Sequence, residues 1–222
     1  MANFKTHVLF GTIFGIIFAI SIYLLNFVTN FIILLAAGFI SFVGSFLPDI
    51  DSDTGSTFTI IFTLFSIFIG ILTFFILIRI PNVQFYLKII LSFVSSLLFY
   101  IIGGGIFKKF TRHRGIIHSI PVAIIFLFSF LFVSRFFGIN DFERIFLSLS
   151  LFIGFISHLV LDEIYSTKNF LGITYGVKKS FGSALKFNSK SFSVSIIAYS
   201  LIIILILVNY RILEQILKKI LN

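Results

Sequence analysis

The chain has no cysteine among its 222 residues, only three prolines and only eight acidic residues. Without cysteine there is neither a disulfide framework nor a thiolate metal site, so any metal must be held by histidine and carboxylate, and the redox compartment cannot be read. Charge is scarce as well: Asp, Glu, Lys and Arg make up 11% of the residues against 59% hydrophobic, and the mean hydropathy is +1.15. A chain of this size cannot hide that much apolar surface in a water-soluble core. The expected class is an integral membrane protein. Its fold is expected to be all-α, a polytopic bundle of six or seven transmembrane helices of about 20 residues each, forming a single domain over residues 1–222. The formal net charge of +9 could point to nucleic acid. Yet basic residues scattered between apolar runs are what anionic head groups and the positive-inside bias select for, so membrane lipids are the expected partners and nucleic acid is not. The 34 phenylalanines are spread over the spans and read as packing and lipid-facing bulk.

In chain order, spans are expected near residues 8–25, 31–47, 58–78, 87–107, 120–137, 144–161 and 192–210, with an amphipathic tail at 211–222. A cleaved signal is a poor account of the first, because an apolar region of about 18 residues exceeds the usual length of about 7 to 15. It is expected to be a retained helix. Pro81 sets a turn after the third span, since the residue before a proline is pushed out of helical geometry. Ser119 and Pro121 read as the start of the fifth. Three consecutive glycines at 103–105 are expected to permit a bend or a close approach. The longest polar segment, residues 164–191, carries Lys168, Lys178, Lys179, Lys186 and Lys190 and would suit a head-group surface.

Chemistry is concentrated at the span ends. Residues 111–119 read Thr-Arg-His-Arg-Gly-Ile-Ile-His-Ser, placing His113 and His118 beside Arg112 and Arg114. Such a cluster is either a basic loop at the membrane surface or part of a reaction centre. After the second span, Pro48 and Gly55 bracket Asp49, Asp51 and Asp53 in alternate positions, which an extended loop would throw to one side. An EF-hand begins this way too, but its sixth and twelfth positions would be Thr54 and Ile60, which excludes it. An ordinary acidic turn is the alternative. On the sixth span His158 and Asp162 are four apart and share a helix face, close enough to ligate one metal or to bond each other; an interfacial histidine is the simpler account. Seven spans put His7, Asp49, Asp51, His113, His118, His158 and Asp162 on one side of the membrane. Imidazoles with carboxylates and no thiols are the stuff of a catalytic zinc or manganese site.

His7, the Pro48-Asp49-Ile50-Asp51 turn, the His113-Arg114-Gly115-Ile116-Ile117-His118-Ser119 segment and His158-Leu159-Val160-Leu161-Asp162, in this order, resemble the YdjM-type family of predicted membrane-bound metal-dependent hydrolases, from residue 5 to about residue 165. That family is similar in turn to zinc-dependent phospholipase C and single-strand nuclease enzymes. The resemblance implies a multinuclear site in which His7, Asp49, Asp51, His113, His118, His158 and Asp162 hold one to three divalent ions, zinc first and manganese as the alternative. It further implies that Asp51 and His118 take part in catalysis and that Arg114, with Arg112, clamps a phosphate. Asp53 and Glu163 would stand behind the ligands. A phospholipid or other amphiphile is the expected substrate, because the site opens at head-group depth. One departure is that no proline occurs after Pro121, where family members follow the His-x-x-x-Asp helix with Thr, Gly and Pro. A metal-free phosphatidic acid phosphatase is disfavoured, since it needs arginine six residues before the histidine and position 152 is Phe. A transporter would want polar residues at mid-membrane, and a noncatalytic scaffold is the further alternative. Ten basic residues fall on the motif side and seven on the other, so the motif face is expected to be cytoplasmic.

Overall fold

The computed structural model describes residues 4–51, 56–105, 117–166, 185–188 and 191–221, and all of its regular structure is helical. Two compact units divide the chain, Met1–Pro48 with Gly115–Asn222, and Asp49–Arg114.

The larger unit contains α1 (Phe4–Leu24), α2 (Phe31–Gly44), α5 (Ile120–Val133, continued by a 3-10 turn Ser134–Phe137), α6 (Asp141–Ser166), α7 (Phe192–Val208) and α8 (Tyr210–Leu221). The smaller contains α3 (Ser56–Ile78) and α4 (Phe85–Leu98), which widens to a π-turn at Phe99–Gly103 just where the glycine run begins. Among the described residues, five helical segments are long and apolar enough to cross a bilayer: α1, Phe31–Asp49, Phe85–Gly103, Ile120–Phe137 and α6. Two shorter apolar stretches, Phe62–Ile78 and α7, complete the seven expected. The protein is a polytopic membrane helix bundle.

In the larger unit α6 is the hub, packing against α1, α2 and α5, while α7 packs on α5. The reason lies in small residues at four-residue spacing. Gly11, Gly15 and Ala19 line the buried face of α1, and Ala37, Ser41 and Ser45 the facing stripe of α2. Lipid tails give helices no hydrophobic reason to associate, so close backbone approach and hydrogen bonds between helices supply the attraction. Here Ser41 Oγ donates to the Gly11 carbonyl at 2.8 Å. A methyl at Gly44 would strike the Leu151 carbonyl, and one at Gly154 the Ser41 carbonyl, so only glycine allows α2 and α6 to lie this close. At the far end of the same three helices Ala19, Ile22, Val28, Ile33, Ala37 and Leu147 form an apolar plug.

The sixth helix is longer than the expected 144–161. Asn140 Oδ1 accepts the Glu143 amide at 2.9 Å, which caps the start, and Asp141 and Glu143 in the first turn complement the helix dipole. At the other end the helix runs on to Ser166, so His158 and Asp162 stand inside it, buried, rather than at its interfacial end.

Candidate metal centre

His7 sits in the first turn of α1 with only 1% of its surface exposed, although a histidine so near a helix start would ordinarily face the interface. It is drawn inward by Asp162, whose Oδ1 lies 3.2 Å from His7 Nε2. The other carboxylate oxygen of Asp162 faces two more imidazoles, with His158 Nε2 at 3.8 Å and His118 Nε2 at 4.0 Å. His7 and His158 stack with ring centroids 3.7 Å apart, and His118 meets His158 edge-on at 5.4 Å. Three ring nitrogens from α1, α6 and the segment leading into α5 thus converge on one buried carboxylate. All four residues belong to the larger unit.

The tautomer of His158 is fixed by the fold. Its Nδ1 lies 2.7 Å from the Ser45 carbonyl oxygen. A carbonyl can only accept, so Nδ1 carries the hydrogen and Nε2 of the neutral ring presents a lone pair toward Asp162. A lone pair opposite a carboxylate oxygen in a buried site is electrostatically unfavourable unless a proton or a cation lies between them. His7 Nδ1 is also buried and has no hydrogen-bond partner among the described residues.

The donor set fits a divalent ion. One ligand atom each from His7, His158 and Asp162 lies within 4.8 Å of the other two. A tetrahedral ion with bonds of about 2.0–2.1 Å needs its ligand atoms about 3.3–3.4 Å apart, and the 3.2 Å between His7 Nε2 and Asp162 Oδ1 is close to that. The Ser45 carbonyl behind His158 is the outer partner that metal-bound histidines usually have.

Of the expected ligands, His7, His118, His158 and Asp162 come together. Asp49 is the first residue of the smaller unit, half-buried in the 3-10 turn Leu47–Asp51. Asp51 closes that turn, and its side chain lies outside the description, as do His113, Arg112, Arg114 and Asp53 altogether. Glu163 follows Asp162 on α6, half-buried. Two elements of the centre escaped the sequence reading. The Ser45 carbonyl is a backbone group and carries no residue signature. Gly44 and Gly154, which bring it near His158, are isolated glycines without a spacing pattern.

The fold and this centre define the class, a polytopic α-helical membrane protein with a buried His/Asp cluster near one end of its bundle. The chain belongs to the YdjM inner membrane protein family, whose model matches residues 1–216. No curated protein and no solved structure matches it significantly.

Proposed function

We propose that the protein is a membrane-embedded metal-dependent hydrolase that cleaves a phosphate ester of a lipid or another amphiphile at the membrane surface. The observation that carries the reading is the convergence of His7, His118 and His158 on Asp162, with His158 held in the metal-binding tautomer by Ser45. His7, His158 and Asp162 would hold the ion, zinc first and manganese second. Bound there, a divalent ion would bring the pKa of its water toward neutrality and offset charge on a phosphoryl oxygen. His118, with its Nε2 4.0 Å from the second carboxylate oxygen of Asp162, would join His7, His158 and Asp162 as a further ligand. The family resemblance adds Asp49, Asp51 and His113 to the ligand set and gives Arg114 the task of clamping the phosphate.

An amphiphilic substrate is supported by an apolar groove of about 300 Å3 between α1 and α6, lined by Phe10, Phe14, Phe152, Ile156, Val160 and Leu161. Such a groove would offer a place for an acyl chain. The excess of basic residues on the motif side favours a cytoplasmic orientation of that face.

The test is metal content per chain, measured by mass spectrometry on detergent-purified wild type, His118→Ala and His158→Ala, followed by a screen of phosphodiesters and phospholipids. Near-stoichiometric zinc or manganese in the wild type, lost in both variants, is expected. Wild-type protein that holds no metal after incubation with either ion would remove the hydrolase mechanism.

A further inference from the structure

The opposite end of the larger unit carries a second polar site. The 3-10 turn after α5, the start of α6, the end of α7 and the start of α8 enclose a cavity of about 560 Å3, lined in part by Arg135, Asp141, Arg144, Asn209, Arg211 and Gln215. Asp141 and Asp162 are 21 residues apart on one helix, which at 1.5 Å per residue is about 32 Å, the thickness of a bilayer's hydrocarbon core. The cavity therefore opens at head-group depth in the leaflet opposite the His/Asp centre.

Its parts have distinct roles. Arg144 is buried and already committed, donating to the Leu131 carbonyl at 2.9 Å, to Ser134 Oγ at 3.3 Å and to Asp141. It is a fixed positive charge in the wall. Arg135 is exposed, with its guanidinium 4.4 Å above the Phe132 ring and a long 3.4 Å contact to the Val208 carbonyl, and Arg211 is exposed on α8. Three cations against one aspartate leave the cavity positive. Asn209 on the wall is 1% exposed, and both of its amide hydrogens go to carbonyls, of Leu205 at 2.8 Å and Phe128 at 3.2 Å, which ties α7 to α5 and makes the wall rigid. The site thus asks for an anion. Its surroundings are apolar: Phe136 is 72% exposed, Phe137 64% and Leu207 67%, an edge suited to hydrocarbon rather than water.

We infer that this cavity binds the head group of an anionic phospholipid, with Arg135 and Arg211 on the phosphodiester beside the fixed charge of Arg144. Phosphatidylglycerol has such a head group. Basic pockets between spanning helices recognise lipid head groups in this manner. The inference is independent of the metal centre.

Native mass spectrometry of the full-length protein in detergent, titrated with phosphatidylglycerol, phosphatidylcholine or inorganic phosphate, tests it. Wild type is expected to retain phosphatidylglycerol in preference to phosphatidylcholine. The double variant Arg135→Ala/Arg211→Ala, which removes two exposed side chains, should bind phosphatidylglycerol about thirtyfold more weakly, from two arginines near an anionic group. The control Lys5→Ala/Lys218→Ala should bind it as wild type does. Equal weakening in both variants, or none in either, would overturn the site. Inorganic phosphate that binds alone and displaces the lipid would overturn the lipid assignment in favour of a free phosphate.

Discussion

Gly154 on α6 is the position where packing and centre meet. A Cβ there would fall on the Ser41 carbonyl and against its carbonyl carbon and Cα, which are backbone atoms that cannot rotate aside. Gly154→Ala therefore forces α6 away from α2. Overpacking of this kind costs about 1–3 kcal/mol, and a stretched hydrogen bond across the same contact, His158 Nδ1 to the Ser45 carbonyl, adds about 0.5–1.5 kcal/mol. The internal standard is Gly38→Ala on α2, where nothing lies within 4 Å of the added methyl. Both substitutions gain about 1 kcal/mol of helix propensity, so their difference isolates the clash, about 2–4 kcal/mol. At about 2–4 °C per kcal/mol for a chain of this size, Gly154→Ala should unfold about 5–15 °C below Gly38→Ala. The chain has no tryptophan, so circular dichroism in detergent is the suitable monitor. His158 is one turn along from Gly154, and its 2.7 Å bond to the Ser45 carbonyl must stretch with the same displacement. Loss of such an outer partner typically weakens metal about 10–100-fold, so zinc titration should show that loss in Gly154→Ala alone. Equal unfolding temperatures and equal zinc affinities in the two variants would refute the close-packing account of the centre.

Ser45→Ala removes a hydroxyl that donates only to the Phe42 carbonyl, yet leaves the backbone oxygen that holds His158. Zinc affinity should stay within about threefold of wild type and stability within about 1 kcal/mol; a tenfold loss of zinc in titration would show that the hydroxyl matters. Glu214 on α8 donates nothing and accepts from Lys218 Nζ at 2.7 Å, and this hydrogen bond and the ammonium charge hold its carboxyl below the ordinary 4.5. A depressed carboxylate contributes stability that is present above 4.5 and lost as pH falls through the lowered value. NMR titration in micelles should place the Glu214 midpoint below 4.5, and Lys218→Ala should raise it; an unchanged midpoint in the variant would deny the pairing.

The spans were legible because hydrocarbon runs between Pro48, Pro81, the 138–141 turn and the lysines leave little freedom about where helices lie. Their ends were less so. Hydropathy falls where Ser157, His158, Asp162 and Glu163 enter α6, although burial of that face keeps the helix going to Ser166. The grouping of His7, His118, His158 and Asp162 was legible as a shared membrane side, since alternating spans carry histidines far apart in sequence to one end. What composition hides is how near they come. That depends on Gly11, Gly44 and Gly154, each of which reads in a hydropathy profile as one more small residue.

Those glycines also explain why the centre is buried rather than laid on the surface. A histidine and an aspartate one turn apart on α6 would by themselves face lipid or a neighbouring helix at ordinary distance, with Nδ1 free to turn either way. Close approach at Gly44 and Gly154 puts the Ser45 carbonyl against His158 and selects one tautomer. Gly11, one turn beyond His7, lets α1 reach Ser45 as well, which seats His7 over the His158 ring and on Asp162. The same small residues that replace the missing hydrophobic drive between helices in a bilayer thus set the tautomer of His158. In this chain, helix packing and the chemistry of the centre rest on one set of positions.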